Sequence, residues 1–564
     1  MEHWRVPSAR GPVSQYVSMR EMDRFVRQLA AVGITGLDVF FFSLFKLQAM
    51  FGSLKTFESF LRDRGLDKLV GVFFGRPWAA PDYAPHVRET HAAIVHGVEM
   101  ILRQCEGLAV ENLVVMPTTA CWNLEPVTDD KLHTVADLWN RVGRLTKQHG
   151  IKTGVHHEFW AAVRTPEQIG KFYAWTDPDC VYFFCDAAQH VIAGVDPVEL
   201  YRKYHQRCSG FHFKDTRNVD LHDEYRSRPD AELLAPSVER WFYEMGTPGG
   251  RVDFPGLMRA MRECGYQGWI GVEHDKADIG GSSYPETTAC AMWYAKSVLD
   301  PAPAATGSVA AARPPWRWSY ALNQWKSGHD LFVRRAEHER AFKTLAASGF
   351  HAIELYSGSG RWEPMGRKDC VEMHYGSVRG FLDVLRACGI ERVSSFFYDC
   401  EQFMEEDATY GLSPAEPRDH AAILAAALPY IDFLREAGGS CLVVKTAPSW
   451  WKLPDVGDEA IRAVADCWAA VGRAARARGI TLGLHIDCLS ALRSVDATAR
   501  LLERMPAEGV GLAIDTAERA IAGHDVVDYI ERFADRIVHR QGITMQAVRT
   551  FHVRCHTQDS TVQT

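Results

Sequence analysis

GIKTGVHHEFWAAVRT, residues 150–165, recurs as GITLGLHIDCLSALRS at residues 479–494, and DAAQHVIAGVD at 186–196 recurs as DTAERAIAGHD at 515–525. Gly150 and Gly479, His156 and His485, Asp186 and Asp515, and Gly194 and Gly523 are all separated by the same length of chain. Two motifs that keep one separation in both halves mark a duplicated domain. In each copy a short apolar run ends in histidine and acid and then turns into an amphipathic stretch, the pattern of a buried strand feeding a helix. The shared positions include His156 with His485, Glu158 with Asp487 and Asp186 with Asp515, residue types that bind metals or move protons.

Around the first copy, short apolar runs alternate with amphipathic stretches: GLDVFFF, KLVGVFF, NLVVMP, KTGVHHEF, VYFFCDA, SGFHFKD and WIGVEHD, preceded by a weaker run near SQYVS at 14–18. Eight strands alternating with helices predict an α/β parallel barrel of the (β/α)8 kind. A doubly wound sheet alternates in the same way, but no glycine-rich phosphate loop follows an early strand here. Polar residues instead end many different strands, where a barrel collects its active site. The second half repeats the pattern with WSYALNQW, HAIELYS, RVSSFFYD, CLVVKTA, TLGLHID, VGLAID and DRIVH. After His539 no further run of this kind follows, so the second barrel is predicted to lack its last strand. Residues 300–315, DPAPAATGSVAAARPP, read as a Pro/Ala-rich linker. The predicted organisation is tandem TIM barrels: a complete catalytic barrel over 1–299, the linker over 300–315, and a truncated, degenerate barrel over 316–564.

Length agrees, since 564 residues hold two barrels of about 200–250 residues each. A composition of 47% hydrophobic and 24% charged residues is that of a globular protein with ordinary cores. The net charge of −8, with no basic run, argues against nucleic acid as a partner. No apolar run approaches the roughly 18 residues of a membrane span, and the start MEHWRVPSAR lacks the features of a signal peptide. A cytoplasmic enzyme without membrane association is therefore expected. The 14 cysteines show no CxxC pair and read as reduced, mostly buried thiols.

Side chains alternate across a strand, so His156 and Glu158 point to the same side of the fifth strand, and His157 points toward the helices. Asp186 closes the sixth strand, His212 lies in the seventh within FHFKDTR, and Glu273 closes the eighth within GWIGVEHD. A single acid at a strand end usually caps a helix or pairs with an arginine; four chemical groups at four successive ends point to a site. Carboxylates with an imidazole suit a divalent ion, with Mn first and Mg or Co as alternatives. Trp160 and the run Phe40, Phe41, Phe42 read as barrel filling or as the wall of a pocket.

The spacing of Glu158, Asp186, His212 and Glu273, with DAAQHVIAGVDP, FHFKDTR and VDFPGLMRAMRECGYQGWIGVEHD, resembles the xylose isomerase-like barrel superfamily of sugar isomerases and epimerases. HFKDTR followed by the long segment 218–250 and then RVDF most resembles inosose dehydratases. The resemblance implies a divalent metal held by Glu158, Asp186, His212 and Glu273. It also implies DxxH on the sixth strand, whereas this chain has Gln189 there and His190 one residue on. Counted from Gly150, the fifth-strand ligand is Glu158 or its neighbour His156, with Glu158 preferred.

Such a site acidifies a carbon next to a carbonyl, because a chelated cation stabilises the enediolate that proton removal creates. With Glu158 and Glu273 as two bases, a sugar or cyclitol would be isomerised or epimerised, which is the leading expectation. With one base and a donor among Lys214, His156 or His190, the same enediolate would expel water, giving a dehydratase. Arg217 and Lys214 are candidates for holding substrate hydroxyls, against the plainer role of local salt bridges beside Asp215. In the second copy His485, Asp487, Asp515 and His539 stand where His156, Glu158, Asp186 and His212 do, and Glu273 has no partner. That half is expected to be inactive or weak, and its unpaired strand edges are expected to be covered by the first domain or by another chain, a homo-oligomer included. A non-catalytic sugar-binding scaffold is the competing class, and an endonuclease IV-like nuclease is disfavoured for want of basic surface and further strand-end histidines.

Overall fold

A computed structural model of the chain describes residues 2–4, 19–75, 83–217, 242–273, 284–301, 319–322, 334–357, 364–398, 411–454 and 456–538. The chain forms two compact units, residues 1–304 and 305–564. In the first unit the strands are β1 (Glu2–Trp4), β2 (Gly36–Phe40), β3 (Lys68–Phe74), β4 (Asn112–Val115), β5 (Lys152–His156), β6 (Val181–Asp186), β7 (Cys208–Phe213) and β8 (Ile270–Val272). They run parallel in sequence order and close into a barrel, β1 pairing with β2 on one side and, through Glu2 and Val272, with β8 on the other. Every residue of β2 and β4 is buried, which is why, Asp38 and Asn112 apart, these strands read as apolar runs.

The helix Asp129–Gln148 shows how local sequence fixes the outer layer. Thr128 caps it by accepting the Lys131 N–H at 3.4 Å, and Asp129 and Asp130 in the first turn, with Lys147 in the last, complement its dipole. Its buried stripe of Leu132, Val135, Trp139, Val142 and Thr146 recurs at the helical period. The Trp139 indole N–H donates to the Pro117 carbonyl at 2.8 Å, and at the equivalent place of the second copy Trp468 donates to the Thr446 carbonyl at 2.6 Å. Gly143 lets this helix lie on backbone: a Cβ there would stand 2.5 Å from the Cys180 carbonyl oxygen.

Inside the barrel Phe40, Phe73, Val114, Met116 and Phe184 form an apolar layer, with Phe42 and Trp160 packed against it. One step earlier on β2 and β4 lie Asp38 and Asn112, both buried. The strand expected near residues 14–18 lies outside the described residues, as does the expected linker from residue 302 on. The closing strand is instead Glu2–Trp4, whose three residues are too few to carry a readable period.

The second unit holds β9 (Ser319–Ala321), β10 (Ala352–Ser357), β11 (Arg392–Tyr398), β12 (Cys441–Lys445), β13 (Thr481–His485) and β14 (Val510–Leu512), parallel and in sequence order. Of the seventh expected run, DRIVH, the described residues 535–538 contribute a one-residue parallel bridge from Ile537 to Leu512. Among the described residues this sheet therefore has six full strands where seven runs were expected. Among them, too, no helix is long and apolar enough to cross a membrane.

Candidate active site

The carboxyl ends of β5 to β8 bring five chemical groups into the mouth of the first barrel. His156 ends β5, Asp186 ends β6, His212 and Lys214 lie at the end of β7, and Glu273 follows β8. Each is 2% exposed or less. His156 Nε2 stands 3.0 Å from Asp186 Oδ2, and His212 Nδ1 stands 3.1 Å from Glu273 Oε2 and 3.8 Å from Asp186 Oδ2. The Lys214 ammonium donates to Glu273 Oε2 at 2.5 Å, pairs with Asp186 Oδ2 at 2.9 Å, and lies 4.3 Å above the Phe242 ring. The apolar layer underlies the imidazoles, with Phe73 at 5.4 Å from His156 and Phe184 at 4.6 Å from His212 between ring centres. Charges on such a floor are poorly screened, so each one sets its neighbours' protonation.

Burial opposes the charged form of every group here, and the partners decide the outcome. At Asp186 burial is outweighed by the Lys214 ammonium and the His156 hydrogen bond, and the carboxyl falls below its ordinary value. At His156 burial is outweighed by the Glu158 and Asp186 carboxylates, which raise the imidazole. His212 goes the other way, burial holding it below its usual value despite Glu273. At Glu158 burial also prevails, and the carboxyl is raised although His156 and Lys214 oppose it.

One ligand atom each from His156, Asp186, His212 and Glu273 falls within 4.8 Å of the others, a set able to hold a metal ion. Of the four expected ligands, Asp186, His212 and Glu273 belong to this set, and the fifth-strand member is His156, the alternative, rather than Glu158. The reason is local. β5 ends at His156, and Glu158 sits in the turn beyond it, where its carbonyl accepts the Ala161 N–H and its carboxylate accepts the Gln189 amide. Glu158 Oε1 remains 3.4 Å from His156 Nδ1, so it borders the set.

Gln189 is a residue whose role the sequence did not disclose. Its backbone N–H is capped by Asp186 Oδ1 at 3.0 Å, its Oε1 accepts the Phe159 N–H at 3.0 Å, and its amide holds Glu158. The signal lay in the repeat: in the second copy Glu518 stands at the matching position and accepts the Cys488 N–H at 3.0 Å. His190 packs against His157 and Phe183, ring centres 6.1 and 5.8 Å away, and burial lowers it to about 4. Arg217 is exposed, donates to the Thr247 hydroxyl at 3.0 Å and lies 4.3 Å over the Tyr243 ring. Neither meets the strand-end groups in these contacts.

In the second unit His485 Nε2 lies 4.0 Å from Asp515 Oδ2, and Asp515 caps the helix Thr516–Ile521 as Asp186 caps Ala187–Ile192. Asp487 Oδ2 is 3.7 Å from the Lys445 ammonium. His539 lies outside the described residues.

The chain matches the family described as xylose isomerase-like TIM barrel over residues 26–292 and 342–557. It is 28% identical over 237 residues to an inosose dehydratase of Lacticaseibacillus casei, covering 39% of this chain and 74% of the relative. It is 31% identical over 150 residues to an inosose dehydratase of Clostridium tetani, covering 26% of this chain and 49% of the relative. Among solved structures it is similar to a sugar phosphate isomerase/epimerase of Parabacteroides distasonis, at 21% identity and a TM-score of 0.37, over 49% of this chain and 88% of that one.

Proposed function

The chain belongs to the xylose isomerase-like TIM barrel family, and from that premise we propose that its first unit removes the proton α to a carbonyl of a sugar or cyclitol and expels the β-hydroxyl as water. The observation that carries this reading is the asymmetry of the mouth. Lys214, an ammonium donor, is seated on Asp186 and Glu273, while Glu158, a carboxylate raised by burial, is held to one side by Gln189. One base and one acid suit an elimination. The inosose dehydratases among its relatives support the same direction.

His156, Asp186, His212 and Glu273 fit a divalent ion, since two imidazoles and two carboxylates converge over an apolar floor. Manganese is the first choice, cobalt and magnesium are the alternatives, and the second imidazole brings in zinc. Such an ion, when bound, supplies Lewis-acid stabilisation of the charge that develops on the substrate carbonyl oxygen. The chain's own residues supply the rest. Glu158 accepts the α-proton, and its raised affinity for a proton makes it a stronger base than an ordinary surface carboxylate. The Lys214 ammonium gives its proton to the departing hydroxyl as the C–O bond breaks and the C–H electron pair becomes the new C=C bond. Phe242 over the ammonium and the phenylalanine layer below keep bulk water from quenching the exchange.

Isomerisation or epimerisation is the second reading, and one observation favours it. Glu158 and Glu273 arrive from strands three apart around the barrel, so a proton lost to one can return from the other. Both readings are tested by incubating the full chain, with Mn, against a panel of ketoses and inososes and following products by NMR. Loss of water is the expected result. A new diastereomer without loss of water would favour the second reading, and no turnover on any substrate with metal bound would overturn both.

A further inference from the structure

Where β2 and β3 end, one phenylalanine of each faces the barrel interior and the next faces the helices outside. Phe40 and Phe73 belong to the inner layer below the imidazoles. Phe41 and Phe74 instead line a cavity of about 320 Å³ between the helices Phe41–Phe51 and His91–Gln104. Their rings meet edge to face there, 5.2 Å between centres. Phe45 and Met100 extend the apolar wall, and His96 and Gln104 supply the polar lining. Protein interiors hold few voids larger than a water molecule, whose share of liquid volume is about 30 Å³. Small-molecule sites begin near 300 Å³, so this cavity has the size of a ligand site and not of a packing fault.

The lining selects among guests. Gln104 Oε1 is shut off from solvent and has no hydrogen-bond partner among the described residues. A buried acceptor without a donor is costly, and a guest that brings a donor removes that cost. Three phenylalanine rings and the Met100 thioether favour an aromatic guest, held edge to face or against sulfur. Phe45, 54% exposed, forms the rim over which such a guest would enter. No lysine or arginine is among the described lining residues, and His96, itself exposed, lies 3.6 Å from the Glu99 carboxylate. A carboxylate or phosphate would therefore enter without a counter-ion, so the guest is neutral.

We propose that this cavity binds a neutral monocyclic phenol, its ring among Phe41, Phe45 and Phe74 and its hydroxyl donating to Gln104 Oε1. The site lies behind the wall made by β2 and β3, outside the barrel mouth, and it stands whether or not the first unit is a dehydratase. The test is calorimetric titration of the full chain with phenol and with toluene, which has the same shape and no donor. Three proteins are compared: the wild type, Ala93→Trp, which fills the cavity from an exposed position of its lining, and Gln104→Leu. The expected result is a saturable phenol event in the wild type, roughly tenfold or more tighter than toluene. Ala93→Trp is expected to lose both probes, and Gln104→Leu to bind toluene at least as well as phenol. Phenol bound equally by Ala93→Trp, toluene that matches phenol in the wild type, or a preference unchanged by Gln104→Leu would each overturn the proposal. So would the binding of neither probe. A wild-type dimer that Ala93→Trp dissociates in sedimentation would overturn it too, because the face would then cover a second copy.

Discussion

Asp38 is the residue whose surroundings most clearly separate the two copies. On β2 it faces Gly71 of β3, its Oδ1 has no hydrogen-bond partner, and a Cβ on Gly71 would stand 2.5 Å from that oxygen. On β10 Glu354 faces Ser395 of β11 instead and accepts its hydroxyl at 2.8 Å. Burial raises Asp38 to about 7. A carboxyl with a raised folded-state value is favoured while protonated, so its contribution is complete below the unfolded value near 4 and is lost as pH rises to about 7. Asp38→Asn is therefore expected to stabilise the chain at pH 8, by on the order of 2 kcal/mol, and to do little at pH 4. Thermal melts at both pH values check this, and an effect equal at the two would contradict it. The strand-end groups Asp186, His212 and Glu273 were legible as residues because acids and imidazoles at successive strand ends are rare by chance. Alternation puts His156 and Glu158 on one side, and what draws the Glu158 carboxylate aside, the Gln189 contact made from the helix that follows β6, has no period in the sequence. Lys214 was open for the same reason, since its seat between two acids depends on β6 and β8 as much as on its own strand.

Among the elements, the helix Asp129–Gln148 and its copy Asp458–Arg476 offer a matched pair. Gly143 meets the Cys180 backbone carbonyl, whereas its counterpart Gly472 meets a Val510 methyl, which would lie 2.6 Å from an added Cβ. A backbone oxygen at the start of a barrel strand has little room to give, while a valine methyl can turn aside. Gly143→Ala is expected to destabilise by about 1–3 kcal/mol through overpacking. Gly472→Ala is expected to cost less, part of its strain being offset by the roughly 1 kcal/mol gained in helix propensity. Denaturant titration of the two variants compares them, and a larger loss at Gly472 would contradict the packing. Long periodic helices and apolar strands were readable because burial on a known face imposes a period. The three-residue strand Glu2–Trp4 was not, and neither was the single bridge made by Ile537 among the described residues, since both follow from which backbone is nearby to pair with.

At the scale of the whole molecule, the duplication was visible in the constant separation of matching motifs and is visible again in bonds kept at that separation. The copies differ in equipment. The first unit assembles His156, Asp186, His212 and Glu273, whereas the described residues of the second bring together His485 and Asp515 at 4.0 Å. The full chain is expected to bind one divalent ion, and His212→Ala is expected to abolish that ion as measured by elemental analysis after dialysis. Two ions per chain, or one that survives the substitution, would place the metal elsewhere. The division of labour in the first unit is tested most directly by proton NMR in deuterated water with an inosose, comparing the wild type with Glu158→Gln and Lys214→Met. The expected result is that Glu158→Gln slows both α-proton exchange and loss of water by about 100-fold or more, while Lys214→Met keeps exchange and loses dehydration. Exchange that persists in Glu158→Gln, or exchange and dehydration that fall together in Lys214→Met, would contradict the assignment of base and acid.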